Sequence, residues 1–287
     1  MIPDVDNDSI VYLNGEYIRL GDARISVLDR GFIFGDGIYE VVPAYRGRPF
    51  RMAGHLARLL RSLKAVSLET GWSRGDWERL ILDMLAREGR DRDVMVYLQV
   101  TRGVARRDHP FPAGVRPTIF CMVAPFERVG EVRETGLRTI SLEDIRWHRC
   151  DIKSVSLLGN VLAKQAAVEA GVDDVIQFRD GLLSEASAAN IWVVRQGVLL
   201  GPVLDHHILE GVRYGLLAEL AQACGIPFEA RSITRDEVAG ADELMLTSAT
   251  KEVVPILWHD GRPVGTGRPG PVYRALRAAY DEAIAVL

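Results

Sequence analysis

The chain has 287 residues with 35 basic and 39 acidic side chains, a formal net charge of −4, which argues against nucleic acid as its main partner. At 48% apolar residues it can bury a full core, and its length suits one large or two ordinary domains. No apolar run reaches the roughly 18 residues of a membrane span, and the opening carries Asp4, Asp6 and Asp8 instead of a basic leader with an apolar stretch, so a soluble, cytoplasmic protein is expected.

The first elements read as antiparallel β: Ile10 to Leu13, then Asn14-Gly15, then Tyr17 to Leu20, a hairpin signal because both turn residues accept positive φ. Leu56, Leu59, Leu60, Leu63 and Val66 fall at helical spacing, as do Trp77, Leu80, Ile81, Met84 and Leu85, which predicts two amphipathic helices. Strands are expected at Val94 to Thr101 and Thr118 to Ala124, with the polar segment Arg102 to Pro117 as a loop of functional length. The charged, glycine-containing segment Phe126 to Glu134 is the expected domain boundary, giving domains at 1–126 and 131–287. Beyond it come a strand near Leu137 to Leu142, a helix from Leu158 to Ala170 stopped by Gly171, and a hairpin-rich stretch from Asp174 to Leu200. A helix from Glu210 to Cys224, strands around Glu243 to Thr247 and Val254 to Trp258, and a C-terminal helix through Val272, Leu276 and Tyr280 complete the chain.

Several motifs have simpler readings than their pattern suggests. Gly265-Thr-Gly267-Arg-Pro-Gly270 matches the dinucleotide fingerprint, but the chain ends too soon after it for a second parallel strand, so a surface turn is expected. His206 and His207 are adjacent, their side chains should diverge, and no metal site is expected there. Cys121, Cys150 and Cys224 are far apart in apolar contexts and read as buried thiols.

The basic residues divide into 31 Arg and only 4 Lys, so lysine chemistry has few candidates. Lys64 and Lys164 lie within amphipathic helices and read as solvated, and Lys251 follows the small polar run Thr247 to Thr250, where a phosphate or an ordinary turn would fit. Lys153 differs: it follows a strand, precedes a helix, and has Trp147, Cys150 and Ile152 around it, a setting able to desolvate an amine. Spacing alone leaves a reactive lysine and a chance half-buried one equally open.

The strings Arg149-Cys-Asp-Ile-Lys153-Ser, Leu158-Gly-Asn160 with Ala163-Lys-Gln165, Asp29-Arg-Gly31 through Phe34-Gly-Asp-Gly37 to Tyr39-Glu-Val-Val42, and Val100-Thr-Arg-Gly103 with Arg107-Asp-His109 resemble the D-amino acid aminotransferases, class IV, fold-type IV pyridoxal phosphate enzymes. The likeness runs from about Val11 to Tyr280. It implies an α+β, two-domain fold, with a C-terminal β-barrel-like domain carrying the cofactor lysine, the cofactor between the domains, and a homodimer. By the same resemblance Lys153 is the Schiff-base lysine and proton shuttle, and Glu185 faces the pyridine nitrogen. Arg58, Leu209, Gly211, Val212, Arg213, Ser248 and Thr250 are implied as the remaining cofactor contacts, most of them around the phosphate. Arg213 stands where the family usually has Thr, which leaves its side chain open between pointing away and adding charge; Ala188-Ala189 replace frequent serines.

Arg107 and His109, with Tyr39, are implied as a trap for the substrate α-carboxylate, the loop reaching the neighbouring subunit. The expected activity is ping-pong amino transfer from D-amino acids, such as D-alanine and D-glutamate, to 2-oxo acids. The alternatives in the same fold are a branched-chain L-amino acid or (R)-amine transaminase and a lyase such as aminodeoxychorismate lyase; outside it, an idle small-anion-binding protein.

Overall fold

The computed structural model describes residues 6–88 and 92–287, so Asp4 of the acidic opening lies outside the described residues. By its contacts the chain divides into two units, Met1–Phe126 with Ile152–Leu157, and Glu127–Asp151 with Leu158–Leu287.

In the first unit β1 (Ile10–Leu13) and β2 (Glu16–Arg19) form a hairpin whose turn, Asn14 and Gly15, takes φ of 52° and 105°. There follow α1 (Arg30–Phe34), β3 (Gly37–Tyr45), β4 (Arg48–Pro49), α2 (Met52–Ala65), α3 (Arg74–Glu88), β5 (Val94–Thr101) and β6 (Thr118–Pro125). The strands make one sheet in the order β2-β1-β6-β5-β3-β4, with every neighbouring pair antiparallel. Alternate residues of β5, Val94, Val96, Leu98 and Val100, face a core that α2 and α3 fill with Leu56, Leu59, Trp77 and Ile81. The opposite face of β3 and β5 carries polar and aromatic groups, and Tyr39 stacks on Tyr97 there, ring centroids 5.8 Å apart.

The second unit holds α4 (Val132–Thr135), β7 (Leu137–Glu143), α5 (Leu158–Glu169), β8 (Asp174–Arg179), β9 (Leu182–Leu183), β10 (Asn190–Arg195), β11 (Val198–Gly201), α6 (Val212–Ala223), β12 (Phe228–Ala230), α7 (Arg235–Ala239), β13 (Glu243–Ser248), β14 (Glu252–His259), β15 (Arg262–Pro263) and α8 (Pro271–Ala285). Its sheet runs β12-β11-β10-β13-β14-β7-β8-β9, with β15 paired to β14. Chain just past β12 returns to the other end of this path, where Leu182 bridges Thr234 and the Leu183 N–H donates to the Ile233 carbonyl at 2.8 Å. The sheet thus curls around a core that includes Ile176, Phe178, Ile191, Leu244 and Ile256, in keeping with a barrel-like domain.

One placement differs from expectation. Lys153 was assigned to the C-terminal domain, but its segment belongs by contact to the first unit. Ser154 bridges Ile38, the Tyr39 N–H donates to the Lys153 carbonyl at 2.9 Å, and Ile152 joins the first unit's core. The free edge of β3 near Gly37 to Tyr39 leaves backbone groups to be paired, and 152–155 pairs them.

Candidate active site

On the first unit, Lys153 is held at three levels. Its N–H donates to Ser62 Oγ of α2 at 3.3 Å, its carbonyl accepts from Tyr39, and its Nζ lies 4.1 Å from the centre of the Tyr39 ring. The amine and the phenol ring therefore share the face of β3 that points away from the helices.

Beside them, buried Glu40 accepts from Arg58 at both oxygens, Nε to Oε2 at 2.9 Å and Nη2 to Oε1 at 2.6 Å, and from His55 Nδ1 at 3.0 Å. Burial raises the Glu40 carboxyl, but Arg58 and His55 prevail and hold it well below the ordinary carboxylate range. The guanidinium implied for a phosphate is thus oriented by a permanent anion beneath it.

The loop after β5 is not loose. Arg30 donates through Nη1 to the Asp108 carbonyl at 2.5 Å and through Nη2 to the His109 carbonyl at 3.1 Å, while Asp36 receives Nε of both Arg30 and Arg102 at 2.8 Å. Arg107 and His109 come together on Phe34, 5.5 Å from its ring centre in each case, and both are exposed. The ring contacts of Tyr39, the third implied trap member, are to Tyr97 and Lys153.

On the second unit, Glu185 is 4% exposed and surrounded by donors: Arg146 Nη1 to Oε2 at 2.6 Å, Asn190 Nδ2 to Oε1 at 3.1 Å, and the Leu209 N–H. Burial pushes its carboxyl above the usual range, and Arg146 and Leu209 act against that rise. A carboxylate ringed by donors is fixed as an acceptor, the form suited to hold a protonated ring nitrogen. Arg146 is itself held by Asp144, Nε to Oδ1 at 2.9 Å and Nη2 to Oδ2 at 2.8 Å, and Asp144 also takes Arg179 at 3.1 Å.

Gly211 is the N-cap of α6 and makes no side-chain cap, leaving the first N–H groups of the helix for another acceptor. A Cβ there would lie 2.1 Å from Asn190 Oδ1, so only glycine lets Asn190 reach Glu185 and the Leu209 carbonyl together. Arg213 resolves in one direction: its side chain is buried and Nη2 donates to the Ala249 carbonyl at 3.3 Å, tying the start of α6 to the turn between β13 and β14. In that turn Ser248 Oγ accepts from the Lys251 N–H at 3.1 Å, Thr250 is half-buried, and Lys251 pairs with Asp174 at 3.1 Å. The turn ends at Glu252, buried with φ of 58° and gripped by Arg128, Arg133 and Arg277 at 2.8 to 3.1 Å.

The residue types fit pyridoxal phosphate on the chain's own geometry: an amine held on a fixed face, a buried acid ringed by donors, and an uncapped helix start whose N-cap has no room for a side chain. Arg58 and Arg213 enter differently from a simple reading, the first already paired with Glu40 and the second as a brace. Sequence reasoning missed Glu40, Asp144, Arg146 and Asn190. Asp144 and Arg146 are two apart at the end of a strand, and no sequence spacing ties either to Glu185.

Two further expectations are corrected. Cys224, read as buried, is exposed at the end of α6, whereas Cys121 and Cys150 are buried. The side chains of His206 and His207 do not diverge: their ring centres are 4.0 Å apart, because Asp205 draws His207 back through both its N–H and its ring.

The chain matches the family model for class IV aminotransferases over residues 37–257 and belongs to that family. It is 37% identical to a D-alanine aminotransferase of Staphylococcus aureus and 35% identical to one of Bacillus licheniformis, covering 96% of this chain in both cases and 97% and 96% of those proteins. Among solved structures, the branched-chain aminotransferase of Escherichia coli shares the fold at a TM-score of 0.91 and 23% identity, over 96% of this chain and 94% of that one. That of Thermoproteus uzoniensis, with norvaline, has a TM-score of 0.89 and 26% identity, over 96% and 95%. The fold is that of the fold-type IV aminotransferases.

Proposed function

We propose that this protein is a pyridoxal phosphate-dependent transaminase that moves the amino group of D-amino acids, D-alanine among them, to 2-oxo acids. The observation that carries the choice within the family is the match to D-alanine aminotransferases along nearly the whole chain, 35 to 37% identical, against 23 to 26% for the branched-chain structures. Arg107-Asp-His109 supports it, since a guanidinium beside an imidazole supplies donors for a carboxylate.

When bound, pyridoxal phosphate supplies an aldehyde that accepts the amino group and a cationic ring that draws electrons from the substrate Cα. Lys153 Nζ would hold that aldehyde in the resting enzyme and would carry the proton from the substrate Cα, as base and then acid on one face. Glu185, whose carboxyl receives donors from Arg146, Asn190 and Leu209, would hold the proton on the ring nitrogen. The α6 N–H groups at Val212 and Arg213, with Ser248, Thr250 and Arg58, take the phosphate, and Glu40 keeps Arg58 oriented.

The same reading includes a homodimer in which the loop bearing Arg107 and His109 is offered to the neighbouring subunit, whose own Tyr39 and Lys153 complete the site. Exposed Val27, Phe32 and Phe111 beside that loop, 61 to 72% open, support a face that a second copy covers. A cytoplasmic location is part of the reading; no helix among the described residues is long and apolar enough to cross a membrane.

The test is steady-state transfer from D-alanine to 2-oxoglutarate by the cofactor-loaded enzyme, followed as pyruvate. Turnover is expected, and its absence, with turnover of L-leucine in its place, would give the assignment to the branched-chain alternative. Mixing inactive Lys153→Ala with impaired Arg107→Ala protein, with subunit exchange, should raise D-alanine turnover above that of Arg107→Ala alone if the loop acts across the dimer. No recovery in exchanged dimers would confine the trap to one chain.

A further inference from the structure

The second unit gathers three histidines and a carboxylate from two stretches of chain far apart in sequence. His148 Nδ1 lies 3.1 Å from His207 Nε2, and the two rings meet edge-on with centres 5.2 Å apart. The ligand atoms offered by Asp205, His206 and His207 all lie within 4.8 Å of one another. The backbone fixes the arrangement: the His207 N–H donates to Asp205 Oδ1 at 2.7 Å, the Asp151 N–H to the His206 carbonyl at 3.4 Å, and Arg146 Nη2 to the His207 carbonyl at 3.4 Å.

We propose that His148, His206 and His207, with Asp205, bind a divalent transition-metal ion. Asp205 Oδ2 stands 3.3 Å from His207 Nδ1; by accepting that N–H it sets the tautomer and leaves the Nε2 lone pair directed at the His148 side. Two nitrogens that each ligate an ion at about 2.0–2.1 Å stand roughly 3.3 Å apart at a tetrahedral angle. The 3.1 Å hydrogen bond between His148 Nδ1 and His207 Nε2 is close to that separation, so a bound ion would take the place of the shared proton, which is released to solvent. An imidazole set with a carboxylate orienting one ring favours Zn²⁺, Co²⁺, Ni²⁺ or Cu²⁺ over Mg²⁺ or Ca²⁺, and the exposure of His148 and His206 leaves positions for water. The site is distinct from the residues assigned to cofactor and substrate. It adjoins them through Arg146, which touches the His207 carbonyl with Nη2 and Glu185 with Nη1.

The experiment is titration of the tag-free, cofactor-loaded enzyme with Co²⁺ alone, read in the visible d–d bands, and with Zn²⁺ alone against a chromophoric chelator. One equivalent of Co²⁺ per chain is expected, displaced by Zn²⁺ and not by Mg²⁺. His148→Gln and His207→Gln should each weaken Zn²⁺ binding by at least about tenfold, and Asp205→Asn by about 10- to 100-fold. All three positions are at least partly exposed, and an unchanged cofactor absorption spectrum and far-UV circular dichroism identify folded variants. Absence of saturable binding up to about 100 μM free metal, weaker than about 5.5 kcal/mol of association, overturns the proposal. So does one-equivalent binding whose affinity is the same in His148→Gln and His207→Gln as in the parent, since the ion then sits elsewhere, at the cofactor for example.

Discussion

Replacing Arg146 by Met removes the cation between two buried carboxylates while keeping most of the side-chain volume. In the folded protein the Arg146 guanidinium makes two hydrogen bonds to Asp144 and one to Glu185, with both acids nearly closed to solvent. Breaking a buried ion pair by deleting one partner costs about 3–5 kcal/mol, because the remaining charge is left uncompensated. Arg179 stays 3.1 Å from Asp144, so the lower end, about 3 kcal/mol, is expected. Among the described residues Glu185 has no such second cation: with Arg146 gone, only the Leu209 N–H and Asn190 still oppose its burial, and its carboxyl rises further from the ordinary range. Urea unfolding of the cofactor-free protein at pH 7, followed by tryptophan fluorescence, measures the loss, and a cycle with Glu185→Gln isolates the pair. The double variant should be less unstable than the two single losses added together. A loss under about 1 kcal/mol, the range of exposed pairs, or strict additivity in the cycle, would refute the view that Arg146 and Glu185 are coupled as a buried pair.

Lys153→Ala should abolish turnover and leave the unfolding curve of the cofactor-free protein nearly unchanged, since the half-buried Lys153 makes no ion pair among the described residues; substantial turnover without an added amine would contradict the proton-carrying role. Arg107→Ala should cut kcat/KM for D-alanine by roughly 10- to 150-fold, the worth of a charged hydrogen bond of about 1.5–3 kcal/mol, and a change within about twofold would remove it from the trap. Glu40 titrates below its ordinary 4.5 when folded, so its pair with Arg58 adds stability that is fully present above that value and is lost as pH falls through the folded pKa. The urea midpoint of the parent should therefore fall more steeply below about pH 4.5 than that of Glu40→Gln, and parallel curves would show that Glu40 is not held ionised by Arg58 and His55.

The strands, helices and most turns were legible because period and punctuation agree along the chain. Val94 to Thr101 alternates as a sheet with one covered face must, and Leu158 to Glu169 ends at Gly171, which takes φ of 65°. Short elements escaped. α1 has five residues, too few for a helical stripe, and is set instead by Asp29, whose carboxylate accepts the Gly31 N–H at 2.8 Å, and by Gly35. Of the candidate site, the matching motifs pointed to Lys153 and Glu185 by resemblance, whereas spacing alone left Lys153 open. Pairs distant in sequence stayed hidden: Arg58 with Glu40, Glu185 with Arg146, and His148 with His207 meet only through sheet register and loop packing. Cys224 shows the opposite failure, since an apolar neighbourhood in sequence says nothing about which side of a helix end a thiol takes.

The most direct test of the central claim is the amino-donor half-reaction measured by stopped-flow absorbance, with D-alanine, L-alanine and L-leucine offered separately to the same cofactor-loaded enzyme. The account predicts that D-alanine converts the cofactor fastest, ahead of L-leucine by at least about 100-fold, equivalent to about 2.7 kcal/mol. L-leucine reacting as fast as D-alanine or faster would contradict it.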